Sequence, residues 1–91
     1  MYKIIITPDA NDEMEQLKRS GEEAEVKRLQ EMLSELALHP KTGIGKPEDL
    51  GGNMAGKWSR RINEKNRLVY QIDSDKKIVT IIRAIGHYKD H

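Results

Sequence analysis

Apolar residues along this chain recur at two different periods, and the switch between them divides it into elements. YKIIIT (residues 2–7) is short and β-branched and stops at Pro8, which predicts a strand. Thr7 then stands where a helix N-cap belongs, with Pro8 at the first helical position. A first helix is expected over about residues 9–19, with Ala10, Met14 and Leu17 on one face. Ser20, followed three residues later by Glu23, fits a capping box for a second helix over 22–38. In that helix Val26, Leu29, Leu33 and Leu36 recur at steps of three and four, with Met32 beside them. His39-Pro40 ends it, since proline disfavours helical geometry in the residue before it.

Beyond Pro40 the pattern changes. KTGIGKPEDLGGN (41–53) holds four glycines and a proline and reads as a loop. KWSRRI (57–62), NRLVYQI (66–72) and KIVTIIRAI (77–85) follow as strand candidates, separated by the turns NEK and DSD. The last is apolar on both parities, so it belongs inside the sheet. The expected fold is α+β: an N-terminal strand, an αα-hairpin and an antiparallel three-strand meander, with the helices on one face of a single small sheet. Residues 1–91 suit one domain with a modest core.

Composition narrows the function classes. The chain has no cysteine, which rules out disulfides and thiolate chemistry and fits a reducing compartment. Its first apolar run is too short for a signal peptide or a spanning helix, so a cytoplasmic protein with no membrane role is expected. Net charge is only +1, yet residues 1–40 carry five Lys/Arg against nine Asp/Glu, and residues 41–91 eleven against six. A basic half points to an anionic partner such as a phosphate backbone, or to two halves that complement each other within the fold.

Strand alternation sorts the basic residues. Leu68, Tyr70 and Ile72 share one face with Trp58 and Ile62 if these bury against the helices. Arg61 and Arg67 then lie on the outer face with Lys57, Ser59 and Gln71, beside the loop that carries Lys46. Arg60 falls on the helix side or its edge, where its stem packs and its head is expected to reach solvent. A solvated outer face explains these arginines without any function. A phosphate-binding face explains them too, because guanidinium forks match phosphate geometry. Trp58 is expected to pack, and His39 fits a helix C-terminus without chemistry.

GKPEDL, GKWSRRI, NRLVYQI and the closing RAIGHY, in this order and spacing, resemble the YoeB-type toxins of bacterial toxin–antitoxin modules, within the RelE/ParE superfamily. The resemblance covers residues 40–88; residues 1–39 share only the strand–helix–helix layout. It implies a small ribonuclease that enters the ribosomal decoding site, cuts mRNA without a metal or other cofactor, and is held inactive by a cognate antitoxin. A homodimer is left open. By position, the resemblance assigns catalysis to Glu48, Arg67, His87 and Tyr88, and phosphate binding to Arg61. Lys46, Lys57 and Ser59 border the same face and complete the RNA-binding set. Asn66 departs from the histidine frequent before RLVY, Asn53-Met54-Ala55 from the more usual residues before the glycine, and Lys89-Asp90-His91 extends past Tyr88.

The chemistry is consistent with these residue types. Metal-free RNA cleavage needs a base for the 2′-OH, cations for the phosphorane-like transition state and an acid for the leaving 5′-oxygen. Glu48, the arginines and His87 would fill those roles in turn, with Tyr88 orienting the phosphate or stacking on a base. Two other readings stay open: a superfamily member that blocks gyrase without cutting RNA, and one that only binds RNA or antitoxin. The histidines are not at zinc-ligand spacing.

Overall fold

A computed structural model describes residues 1–52 and 56–84. The elements run β1 (Lys3–Ile6), α1 (Pro8–Ser20), α2 (Glu23–Leu38), β2 (Glu48–Asp49), β3 (Lys57–Arg61), β4 (Arg67–Asp73) and β5 (Ile78–Arg83). The five strands form one mixed sheet in the order β1-β5-β4-β3-β2. β3, β4 and β5 are the expected meander, and β1 joins it parallel to β5. β5 therefore has a partner on each side, as its apolar character requires. The fifth strand is a correction: Glu48 and Asp49 leave the expected loop to pair antiparallel with Ser59 and Trp58.

The first helix starts as its residues dictate. Thr7 Oγ1 accepts the Ala10 N–H at 3.2 Å, and Pro8 needs no partner for the N–H it lacks. Its start of α2 differs from expectation. Ser20 closes α1 instead and donates its hydroxyl to Gln16 O at 2.8 Å, while the Gly21 N–H reaches Leu17 O. Glu22 is the N-cap of α2, and its N–H donates to Glu25 Oε1. Ser20 is still the last helical residue of α1, so it does not occupy the extended position from which a side chain caps the first N–H groups of α2.

Ala10, Met14 and Leu17 from α1 and Leu29, Met32 and Leu36 from α2 are buried against Leu68, Tyr70, Val79 and Ile81. Both helices therefore cover one face of the sheet. Trp58 packs at the margin of this cluster, in the packing role its pattern predicted. One irregularity breaks the meander: Val69 stands opposite Arg83 but Tyr70 opposite Ile81, leaving Ile82 as an extra residue. Past this bulge, Arg83 turns to α1. Its Nε donates to Glu13 Oε2 at 2.9 Å, its Nη2 forms an ion pair with the same oxygen at 2.7 Å, and the Ala84 N–H donates to Glu13 Oε1 at 2.8 Å.

Candidate active site

The outer face is set by register. Glu48 lies opposite Ser59, Ser59 opposite Val69, and Arg61 opposite Arg67. Paired residues share a face, so Glu48, Ser59, Arg61 and Arg67 all lie on the side away from the helices. Arg67 brings three of them together. Its Nη1 lies 3.7 Å from Glu48 Oε1 and donates to Ser59 Oγ at 3.4 Å. Ser59 and Val69 beneath are only 1% exposed, so the middle of this face is covered rather than open to water. Glu48 keeps a side-chain exposure of 66% and Arg67 of 25%.

These contacts are long and partly solvated. An exposed ion pair of this kind contributes about 0–1 kcal/mol to stability. Arg61 and Arg67 directly opposite each other work against stability, because like charges on paired residues repel. The cluster is therefore a poor device for holding the fold. It is a suitable one for an anion that would bridge the two guanidiniums beside an available carboxylate.

The other expected residues fall around it. Lys46 is exposed on the approach to β2, in a left-handed conformation at φ 52°. Lys57 sits at the start of β3, opposite Gln71 on the same outer face. His87 and Tyr88 lie outside the described residues. Among the described residues no group of three or more His, Cys, Asp or Glu side chains could hold a metal, and no helix is long and apolar enough to cross a membrane.

Arg60 lies on the helix side as expected, but its head does not go where it was expected to. Its head does not reach solvent: the side chain is 0% exposed. All five N–H donors of a guanidinium find acceptors. Nε donates to Tyr70 Oη (3.1 Å). Nη1 donates to Glu35 Oε1 (2.6 Å) and Ile44 O (3.3 Å). Nη2 donates to His39 O (2.6 Å) and Thr42 O (2.8 Å). Tyr70 donates its own O–H to Pro40 O at 2.8 Å. The physical reason is the cost of a buried charge, which only full pairing offsets.

Glu35 is the anionic end of this network, and it also accepts the Ile44 N–H at 2.8 Å. Desolvation pushes its carboxyl up, but the Ile44 N–H, the Arg60 hydrogen bond and the Arg60 and His39 charges outweigh it and hold the carboxyl below its ordinary value. Burial raises the Tyr70 hydroxyl, against the opposing pull of Arg60. His39 also ends α2 and lends its carbonyl to Arg60.

Known proteins resemble this chain in sequence and in fold. The model of the YoeB-like toxins of bacterial type II toxin–antitoxin systems matches residues 7–88. A toxin YoeB of Mycobacterium bovis is 44% identical over 62 residues, which cover 68% of this chain and 71% of the relative. Among solved structures, a YoeB/ParE toxin from Agrobacterium tumefaciens superposes with a TM-score of 0.84 at 32% identity, covering 94% of this chain and 99% of that one. The toxin in a heterotetrameric YoeB–YefM toxin–antitoxin complex from Staphylococcus aureus superposes with a TM-score of 0.77, also at 32% identity, covering 97% and 99%.

Proposed function

This chain belongs to the YoeB-like toxins of bacterial type II toxin–antitoxin systems, and from that membership we propose that it is a ribosome-dependent endoribonuclease that cuts mRNA in the decoding site and so stops translation. The observation that carries the reading is the convergence of Glu48, Arg67 and Ser59, with Arg61 across from Arg67, on the face opposite the helices.

In the proposed reaction the Glu48 carboxylate takes the proton of a ribose 2′-OH. The 2′-oxygen attacks the adjacent phosphorus, and Arg67 and Arg61 stabilise the charge that builds on the non-bridging oxygens. The bond to the 5′-oxygen breaks as His87 donates a proton to it, and Tyr88 orients the phosphate. One fragment then ends in a 2′,3′-cyclic phosphate and the other begins with a 5′-OH. No step calls on a metal. Lys46 and Lys57 flank the path of the RNA backbone and contribute sequence-independent attraction.

Attack requires the 2′-oxygen, the phosphorus and the 5′-oxygen in line. Holding reactants in such an arrangement is worth several orders of magnitude. The ribosome would supply it by fixing the mRNA codon, which makes free RNA a poor substrate. The proposed place of action is the cytoplasm. The proposed partner that silences the toxin is a cognate antitoxin, and the heterotetrameric YoeB–YefM toxin–antitoxin complex from Staphylococcus aureus supports such a partner.

The test is a reconstituted translation reaction on a defined mRNA, with cut ends mapped and their chemistry determined. Cuts at the codon in the decoding site, cyclic phosphate ends and suppression by added antitoxin are expected. Equal cutting of free RNA at the same sites would remove the ribosome from the account, and an absence of cuts would leave a binding toxin.

A further inference from the structure

We infer that Arg60, on the helix side of the sheet, is a positioning residue for the outer-face site: it clamps residues 39–45 so that Glu48 is delivered opposite Ser59 and within reach of Arg67. The inference rests on the nuclease reading for its catalytic consequence, but not for the clamp itself.

After α2 ends at Leu38, the polypeptide must cross from the helix layer to the far edge of the sheet before Glu48. Among the described residues no helix or ladder supports residues 40–47. Arg60 substitutes for one. Through a single guanidinium it holds the carbonyls of His39, Thr42 and Ile44, and through Glu35 it also secures the Ile44 N–H. Tyr70 adds the Pro40 carbonyl.

The next residue continues the clamp on the strand itself. Gly45 O accepts the Arg61 N–H at 2.7 Å, so the residue that follows Arg60 anchors the residue that follows Ile44. Gly45 adopts φ +84°, and a Cβ there would lie 2.6 Å from Met32 Cε and 2.8 Å from Arg61 O. Only glycine fits so close an approach. Glu48 comes three residues later, and β2 is too short to fix its own register: its ladder to β3 spans two residues. The Leu50 N–H to Lys57 O bond closes the far side at 3.0 Å. The position of Glu48 thus depends on an anchor on either side, and the one before it is organised by Arg60.

Arg60→Lys, Glu35→Ala and Glu35→Gln test this in the full-length protein. Two readouts are needed. Amide hydrogen exchange at Arg61 and Leu50 reports the anchors on either side of Glu48, and exchange at Thr7 and Ile72 reports the rest of the sheet. Cleavage on programmed ribosomes separates turnover from affinity.

The expected result is faster exchange at Arg61 and Leu50 in Arg60→Lys, with Thr7 and Ile72 unchanged. It comes with a kcat about 10- to 10²-fold lower, the order expected for a displaced catalytic group, and little change in KM. Glu35→Gln, which keeps an acceptor for both Arg60 and Ile44, retains most activity, and Glu35→Ala does not. Should Arg60→Lys fail to fold, the contrast between the two Glu35 variants, at a partly exposed position, decides the matter in its place. Unchanged exchange at Arg61 and Leu50 would overturn the clamp. Loosened anchors with wild-type kcat would overturn the positioning of Glu48. Wild-type protein that cuts no mRNA would instead sink the nuclease reading, and exchange alone would then decide for or against the clamp.

Discussion

Arg60 and Arg61 are neighbours in sequence, and the pleat sends them to opposite fates. Arg60 is buried with every donor satisfied, whereas Arg61 is exposed on the other face, across from a second arginine. The same contrast separates the two carboxylates. Glu35 meets its arginine at 2.6 Å beside a sealed core, and Glu48 meets Arg67 at 3.7 Å with most of its side chain in solvent. One pair is complete and holds the fold. The other is loose, costs little to rearrange and leaves cations and a base available to a ligand. Charge alone therefore does not mark a site; incomplete satisfaction on a shared face does.

The largest expected effect lies on the outer face. Glu48→Gln, which keeps the shape and removes the base, should lower the cleavage rate on programmed ribosomes by about 10²–10⁴-fold with the thermal midpoint unmoved. A large fall in that midpoint would break the comparison, since it would make Glu48 structural. Arg60→Met sharpens it from the other side. Leaving Glu35, Tyr70 and three carbonyls without their donor should cost about 3–5 kcal/mol, read as a lower denaturant midpoint in urea.

A pH series separates the two carboxylates further. Glu35 is held below its ordinary value of 4.5, so it binds protons less readily folded than unfolded. Its contribution is fully present above that value and is lost as pH falls through the lower folded one. Melting temperatures taken downward from pH 5 should fall less steeply in Glu35→Gln than in wild type. The smallest effect belongs to Arg61→Ser. Removing a like charge opposite Arg67 should raise stability by about 0.2–1 kcal/mol while weakening cleavage. Equal or lower stability would mean that Arg61 has a structural partner after all.

Much of this was legible before any coordinates. Both helices followed from the spacing of Ala10, Met14 and Leu17 and of Val26, Leu29, Leu33 and Leu36, although in α2 the fully buried residues are Leu29, Met32 and Leu36. Strand parity alone placed Ser59, Arg61 and Arg67 together, because a pleat leaves no other choice once Leu68 and Tyr70 are buried. What parity could not show was where a long side chain ends. The acceptors of Arg60 are mostly backbone carbonyls of residues 39–44, which carry no residue-type signal.

Two other features were hidden for related reasons. β2 exists because β3 offers an edge, not because Glu-Asp favours a strand. Glu22 rather than Ser20 begins α2 because Ser20 is still the last helical residue of α1, and both candidates have the acidic residue three positions on that the motif asks for. In the candidate site, Glu48 lies 3.7 Å from Arg67, and it does so from a strand edge instead of the expected loop. The roles assigned to His87 and Tyr88 lie outside the described residues.

The most direct test of the outer face as the reactive one is the single-turnover cleavage rate of Arg67→Ala on ribosomes programmed with a defined mRNA, taken alongside its melting curve. A loss of about 10²–10³-fold with an unchanged melting temperature is the predicted result. Cleavage at the wild-type rate would contradict it and return this arginine face to a solvated surface.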